Sequence, residues 1–115
     1  MSRLRPEIGL AEAALLFAAL GDETRLELVR NLRKGPASIS ALAANFQVSR
    51  QAITKHLRCL AGAGIIHGSH EGREHLWTLN PARLAEARRC LEVIAQQWDD
   101  ALGRLKAHVE KGPSR

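Results

Sequence analysis

The chain has 115 residues, enough for one domain with a compact core. Seventeen Lys and Arg against 12 Asp and Glu give a formal charge of +5 and a sequence pI near 10.0, a balance that points toward a polyanionic partner. No apolar run reaches the ~18 residues of a membrane-spanning helix, and two cysteines, Cys59 and Cys90, make no disulfide framework.

Met1 to Arg5 reads as a loose basic tail, and Pro6 suits the first position of a helix. The first helix is predicted over 7–20, with Ile8, Ala11, Ala14, Leu15 and Ala18 on one face and Gly21 as its stop. This apolar stretch is too short for a span, carries Glu12 and lacks the cleavage site of a signal peptide. With reduced thiols, the expectation is a cytoplasmic protein. Asp22 caps a second helix with Leu26, Val29 and Leu32 inward and Leu28 beside them, ended by Gly35 and Pro36. Ser38 caps a short third helix, "ISALAANF", whose Ile39, Leu42 and Phe46 face the core. "QVS" is a tight turn, and Ser49 caps a fourth helix with Ile53, Leu57 and Leu60 at helical spacing.

Beyond "AGAG" the period changes. "IIHGSH" and "EHLWTL" are short strands around the turn "EGR", with Trp77 as a core anchor. Asn80 and Pro81 open a last helix over 81–110. Leu84, Ala87, Leu91, Ile94, Trp98, Ala101 and Leu105 alternate steps of three and four, an a/d seam whose natural partner is another helix. The reading is one domain, 1–115, mainly α with a small β-hairpin in the order α-α-α-α-β-β-α.

Function follows from where the charge lies. Between Glu27 and Glu71 there is no acid, whereas Arg30, Arg33, Lys34, Arg50, Lys55 and Arg58 all fall there. Helices three and four form a helix-turn-helix over 38–63, and the hairpin over 65–79 is its wing. On the outer face of the fourth helix, Arg50 and Gln51 are placed to read base edges. Thr54, Lys55 and Arg58 suit phosphates or bases, Ser38 and Ser49 sit at helix N-termini, and Arg73 at the wing tip suits a minor groove. His56 has two readings, a donor to phosphate or a half-buried group bonded to a neighbouring turn.

In this order and spacing, "LGDETRLELV", "VSRQAITKHLRCL" and "EGREHLWTL" resemble the ArsR/SmtB-type winged helix-turn-helix repressors over about Leu15 to Leu79. The resemblance implies a homodimer joined by its first and last helices, bound to double-stranded DNA at a palindromic operator near its own promoter. It also implies repression, often relieved by an inducer. The inducer here is unknown. Departures from the family pattern matter. Metal sensors of the family carry a Cys-Val-Cys run at the third helix, where this chain reads "ISALAANF". Others pair Asp-x-His with His-x-x-Glu on the last helix. Here Ala101 and Leu102 follow Asp99 and Asp100, and His108 stands two positions before Glu110. No metal or other cofactor is therefore expected.

His67, His70 and His75 remain in the wing. His70 and His75 face each other if Gly72 and Arg73 form the turn, but two histidines fall short of a four-ligand zinc site, and the plainer reading is a polar wing that touches phosphate or water. Cys59, on the flank of helix four near the core, and Cys90, beside the dimer seam, are small hydrophobes or, alternatively, a thiol-redox switch. Two other functions were weighed. A protein-interaction module would have no reason to keep its surface free of acid. An enzyme would need a phosphate loop, a nucleophile elbow or paired carboxylates, and the adjacent Asp99 and Asp100 point about 100° apart on a helix.

Overall fold

The computed structural model describes residues 8–111; the basic tail, Pro6, Glu7 and everything after Lys111 lie outside the described residues. The elements are α1 (Leu10–Leu20), α2 (Glu23–Leu32), β1 (Ala37–Ser38), α3 (Ile39–Ala44), α4 (Arg50–Gly62), β2 (Ile66–Glu71), β3 (Glu74–Leu79) and α5 (Pro81–Lys111). The expected hairpin is part of a three-stranded antiparallel sheet, ordered β1-β3-β2. The added strand is two residues long and pairs Ala37 with Trp77 and Ser38 with Leu76. A pair of residues after Pro36 has no alternation to reveal it.

The core is built on α4. Its Ile53, Leu57 and Leu60 are fully buried and pack with Leu16, Leu28, Leu32, Leu42, Ile65 and Ile66 from the surrounding elements. Trp77 packs half-buried against this core, as expected of an anchor. No polar or charged residue among those described is buried, so the centre carries no desolvation penalty.

Local chemistry sets the helix ends. The side chains of Asp22, Ser38 and Ser49 accept from the backbone N–H groups of Arg25, Ala41 and Ala52, as N-caps do. At the far end of α4, Gly64 takes φ +79, the N–H of Ile65 donates to the carbonyl of Leu60, and that of Gly64 donates to Ala61. This Schellman ending turns the chain directly into β2. Asn80 then ties the start of α5 to the same corner, its N–H donating to Ile65 and its side-chain amide to Gly64.

The structure corrects three expectations. Helix α1 starts at Leu10, after an extended Gly9, not at residue 7. Its inward residues are Ala13, Leu16 and Ala19, while Ala11, Ala14, Leu15 and Ala18 face outward, Leu15 being 62% exposed. A helix apolar all round offers periodicity no way to choose between its faces. In α2 the buried stripe is Leu28 and Leu32, with Leu26 47% exposed. Arg25 turns its own face toward α4, and Leu28 and Leu32 follow it at helical spacing. The link between α3 and α4 spans residues 45–49, longer than three residues.

Two outcomes are expected. Leu57→Ala should lower the unfolding free energy by about 2–5 kcal/mol in urea titrations, and Leu26→Ala by less than about 1 kcal/mol. The backbone N–H of Arg25 holds the Asp22 carboxyl below its ordinary value of 3.8, aided by the charges of Arg25 and His56 and opposed by desolvation. This contribution is complete above the unfolded-chain value and is lost as pH falls through the lower folded-state value. An NMR titration should give Asp22 a midpoint below 3.8, and Asp22→Asn should flatten that part of the acid-unfolding curve.

Candidate nucleic-acid interface

The burial of Ile53, Leu57 and Leu60 turns the opposite side of α4 outward. Ser49, Gln51, Ala52, Thr54, Lys55 and Arg58 line an open depression of about 480 Å³ along that side. Arg50, Gln51, Lys55 and Arg58 are exposed, and no carboxylate occurs in α4. Four of the expected residues thus share one solvent-facing surface.

The hydroxyls there are already oriented. Ser49 Oγ accepts from Ala52 at 3.0 Å and Ser38 Oγ accepts from Ala41 at 3.1 Å. Both keep an O–H free to donate to an anion. Thr54 Oγ1 donates to the carbonyl of Arg50 at 2.9 Å and keeps its lone pairs as acceptors.

His56 differs from the rest. Arg25 Nη1 donates to its Nδ1 at 3.1 Å, and Asp22 Oδ2 lies 3.9 Å from the same nitrogen. The side chain is only about a quarter exposed. It is half-buried, as in the second sequence reading, but its partner is the Arg25 side chain of α2 rather than a turn. Arg25 completes the link by donating from Nε to Ala19 at 2.6 Å and from Nη2 to Ala18 at 3.4 Å. The sequence alone assigns Arg25 no role. Its signal was an arginine one turn into a helix that packs on α4.

The wing stands beside α4 across a second groove of about 530 Å³, lined by Ser38, Ile39, Ser40, Arg50, Thr54, Arg58, Arg73, Glu74, His75 and Trp77. The groove brings together Ser38, Arg50, Thr54, Arg58 and Arg73 with His75, expected in a polar wing, and adds Ser40 and Trp77, which the sequence does not place on this surface. His70 and His75 do pair across the hairpin, around Gly72 and Arg73. Their rings stack at 4.8 Å, and that of His75 stacks on Trp77 at 4.7 Å. His67 falls on the other face of β2 by strand alternation. Among the described residues no three His, Cys, Asp or Glu side chains gather as a metal site would require.

Both cysteines are free thiols. Cys59 is exposed, a correction to its expected place near the core, because positions 53, 57 and 60 carry the buried stripe and 59 turns away from it. Cys90 is half-buried. On α5, Leu84 packs against the core, while Leu91, Ile94, Trp98 and Leu105 are exposed, Trp98 at 63%. No described helix is long and apolar enough to cross a membrane.

Comparison with known proteins agrees with this geometry. The family described as "Bacterial regulatory protein, arsR family" matches residues 22–67, which run from the Asp22 cap to the first wing strand. The HTH-type transcriptional regulator Rv2034 of Mycobacterium tuberculosis is 35% identical over 86 residues, covering 75% of this chain and 78% of that protein. The HTH-type transcriptional repressor SmtB of the same species is 30% identical over 93 residues, covering 81% and 67%. The structure of an ArsR-like transcriptional regulator from Rhodococcus sp. RHA1 superposes with a TM-score of 0.78 at 41% identity, covering 86% of this chain and 93% of that one. An acid-free helix supported only from behind, a wing beside it and these likenesses lead to one conclusion: the chain is a winged helix-turn-helix transcriptional regulator and belongs to the ArsR family.

Proposed function

We propose that this regulator is a homodimeric repressor that binds a palindromic operator, the DNA near its own promoter being the first candidate. The observation that carries the reading is the outer face of α4. Gln51, Lys55 and Arg58 are exposed there opposite a fully buried apolar stripe, Arg50 is exposed on the flank toward the wing, and no acid intervenes. Such a helix lies in a major groove, Gln51 and Arg50 against base edges, Lys55, Thr54 and Arg58 against phosphates or bases. Ser38 and Ser49 offer hydroxyls to the flanking backbone, and Arg73 reaches from the wing tip.

Dimerisation is supported by the placement of exposed apolar side chains. Of the ten large hydrophobics exposed among the described residues, Leu10 and Leu15 lie on α1, and Leu91, Ile94, Trp98, Leu102, Leu105 and Val109 on α5. Exposed apolar side chains concentrated on two helices in this way are what a second copy covers. The two copies of α4 then read half-sites about one duplex turn apart (~34 Å). The family's cysteine run and last-helix ligand pair are absent from the sequence, so the proposed repressor does not use those metal sites. A repressor rather than an activator is supported by the likeness to the SmtB repressor.

Fluorescence-anisotropy titration of the upstream promoter duplex against a scrambled one, over a salt series, tests the reading. Tight binding that weakens steeply with salt and prefers the promoter is expected. Lys55→Ala should weaken binding to all duplexes and reduce the salt slope by about one. Gln51→Ala should cost about 1–3 kcal/mol on the preferred duplex and relax the choice at one base pair. If both variants bind as the parent does, α4 is not the reader. Trp98→Glu should sediment as a monomer and lose about tenfold or more in operator affinity, since two linked half-sites become two separate ones.

A further inference from the structure

The groove between the wing and α4 differs in chemistry from the open face of the helix. Arg50, Thr54 and Arg58 come from α4, Ser38 and Ser40 from the start of α3, and Arg73, Glu74 and His75 from the wing. Three guanidiniums and three hydroxyls meet a single carboxylate. That donor set suits a phosphodiester, whose two anionic oxygens accept several charge-assisted hydrogen bonds and carry no base information.

We propose that this groove seats a backbone phosphate of the bound duplex, with the His75 imidazole as one of its ligands and as the group that takes up a proton from solvent when DNA enters. The proposal rests on the DNA-binding reading given above.

The imidazole is held in place before any DNA arrives. It is sandwiched between the His70 ring, 4.8 Å away at 24°, and the Trp77 indole, 4.7 Å away at 23°. Gly68 makes this possible, because a β-carbon there would collide with the His75 ring. Glycine therefore lets the imidazole lie flat across β2, and any other residue would push it away.

The charges around it set the direction of the proton change. Arg50 and Arg58 face the groove from α4, Arg73 and Glu74 from the wing, and α3 contributes only hydroxyls. Glu71 stands opposite Glu74 at the turn, and His70 completes the stack. A phosphate entering among the three guanidiniums brings negative charge to the imidazole and favours its cationic form. Two imidazoles stacked face to face disfavour a second charge on the pair. Of the two rings, His75 is the one stacked on an indole face, which favours the cation there rather than on His70. DNA binding and protonation then stabilise each other.

The test is the pH dependence of affinity for a random-sequence duplex, read by anisotropy at fixed low ionic strength from about pH 8 to about pH 6. The wild-type chain should bind more tightly as pH falls, by up to about tenfold per pH unit where the linkage is steepest. His75→Gln should flatten that slope by one proton while binding at about pH 8 stays within roughly tenfold of wild type. Gly68→Ala, which displaces the ring without removing it, should flatten the slope too. His67→Gln and His70→Gln should keep it, and Lys55→Ala, outside the groove, should weaken binding at every pH with the slope intact. A flat wild-type profile, or a His75→Gln variant with the full slope, overturns the proposal and leaves the DNA-binding reading standing. Absence of duplex binding at any pH and low salt overturns that reading, and the seat with it.

Discussion

The outer face of α4 is left open because the helix is held entirely from behind, as the proposed reading of DNA requires, and this constraint organises the described residues. Everything that fixes α4 approaches from one side. Ile53, Leu57 and Leu60 bury completely against α1, α2, α3 and the first wing strand. No polar group is buried beneath them to specify the arrangement, so shape and apolar area do that work alone. The result is a helix whose outward half is free of packing obligations and able to carry Arg50, Gln51, Lys55 and Arg58.

Two arginines finish what the apolar stripe begins. At the middle of α4, Arg25 joins His56 to the carbonyls of Ala18 and Ala19 at the end of α1. Beyond its end, Arg83 of α5 donates from Nε to the carbonyl of Ala63 at 2.9 Å and pairs through Nη1 with Glu12 of α1 at 2.7 Å and Glu86 at 2.9 Å. The hydrogen bonds that Arg83 donates to Glu86 and then Glu12 raise its pKa further above its already high ordinary value. Each guanidinium serves several acceptors at once, which the compact ammonium of lysine could not do in the same geometry. Arg25 thus ties α1 to the middle of α4, and Arg83 ties α5 and α1 to the residue that follows it.

The sequence revealed the elements whose chemistry is local. The caps at Asp22, Ser38 and Ser49, the glycine ending after α4 and the turn at Gly72 and Arg73 all depend on residues within a few positions of one another. The polar face of α4 was legible for the same reason, since a 3.6-residue period separates it from a clear apolar stripe. What escaped was long-range. Strand β1 exists because β3 runs past Ala37 and Ser38, and nothing in those two residues announces it. Arg25, Arg83 and the Gly68–His75 fit join positions distant in sequence or across a hairpin, and a linear pattern carries no trace of them. The inward face of α1 was unreadable because Ala and Leu occupy its whole circumference.

That ambiguity in α1 has a physical meaning. The inward set, Ala13, Leu16 and Ala19, already satisfies the core of one copy. The outward set, Ala11, Ala14, Leu15 and Ala18, is nevertheless apolar, and α5 likewise exposes Leu91, Ile94 and Trp98. A chain under selection only for its own fold has no use for a second apolar face on the same helix. In the proposed dimer that face fixes the distance between the two copies of α1 and α5. Arg25 and Arg83 carry the same distance through to α4, because Arg25 bonds α1 and the middle of α4 at once, and Arg83 bonds α1 and the residue that follows α4. Half-site spacing is then set by the packing of α1 and α5, far from any base. A change on that outward face moves both reading helices together while leaving each one's own contacts intact.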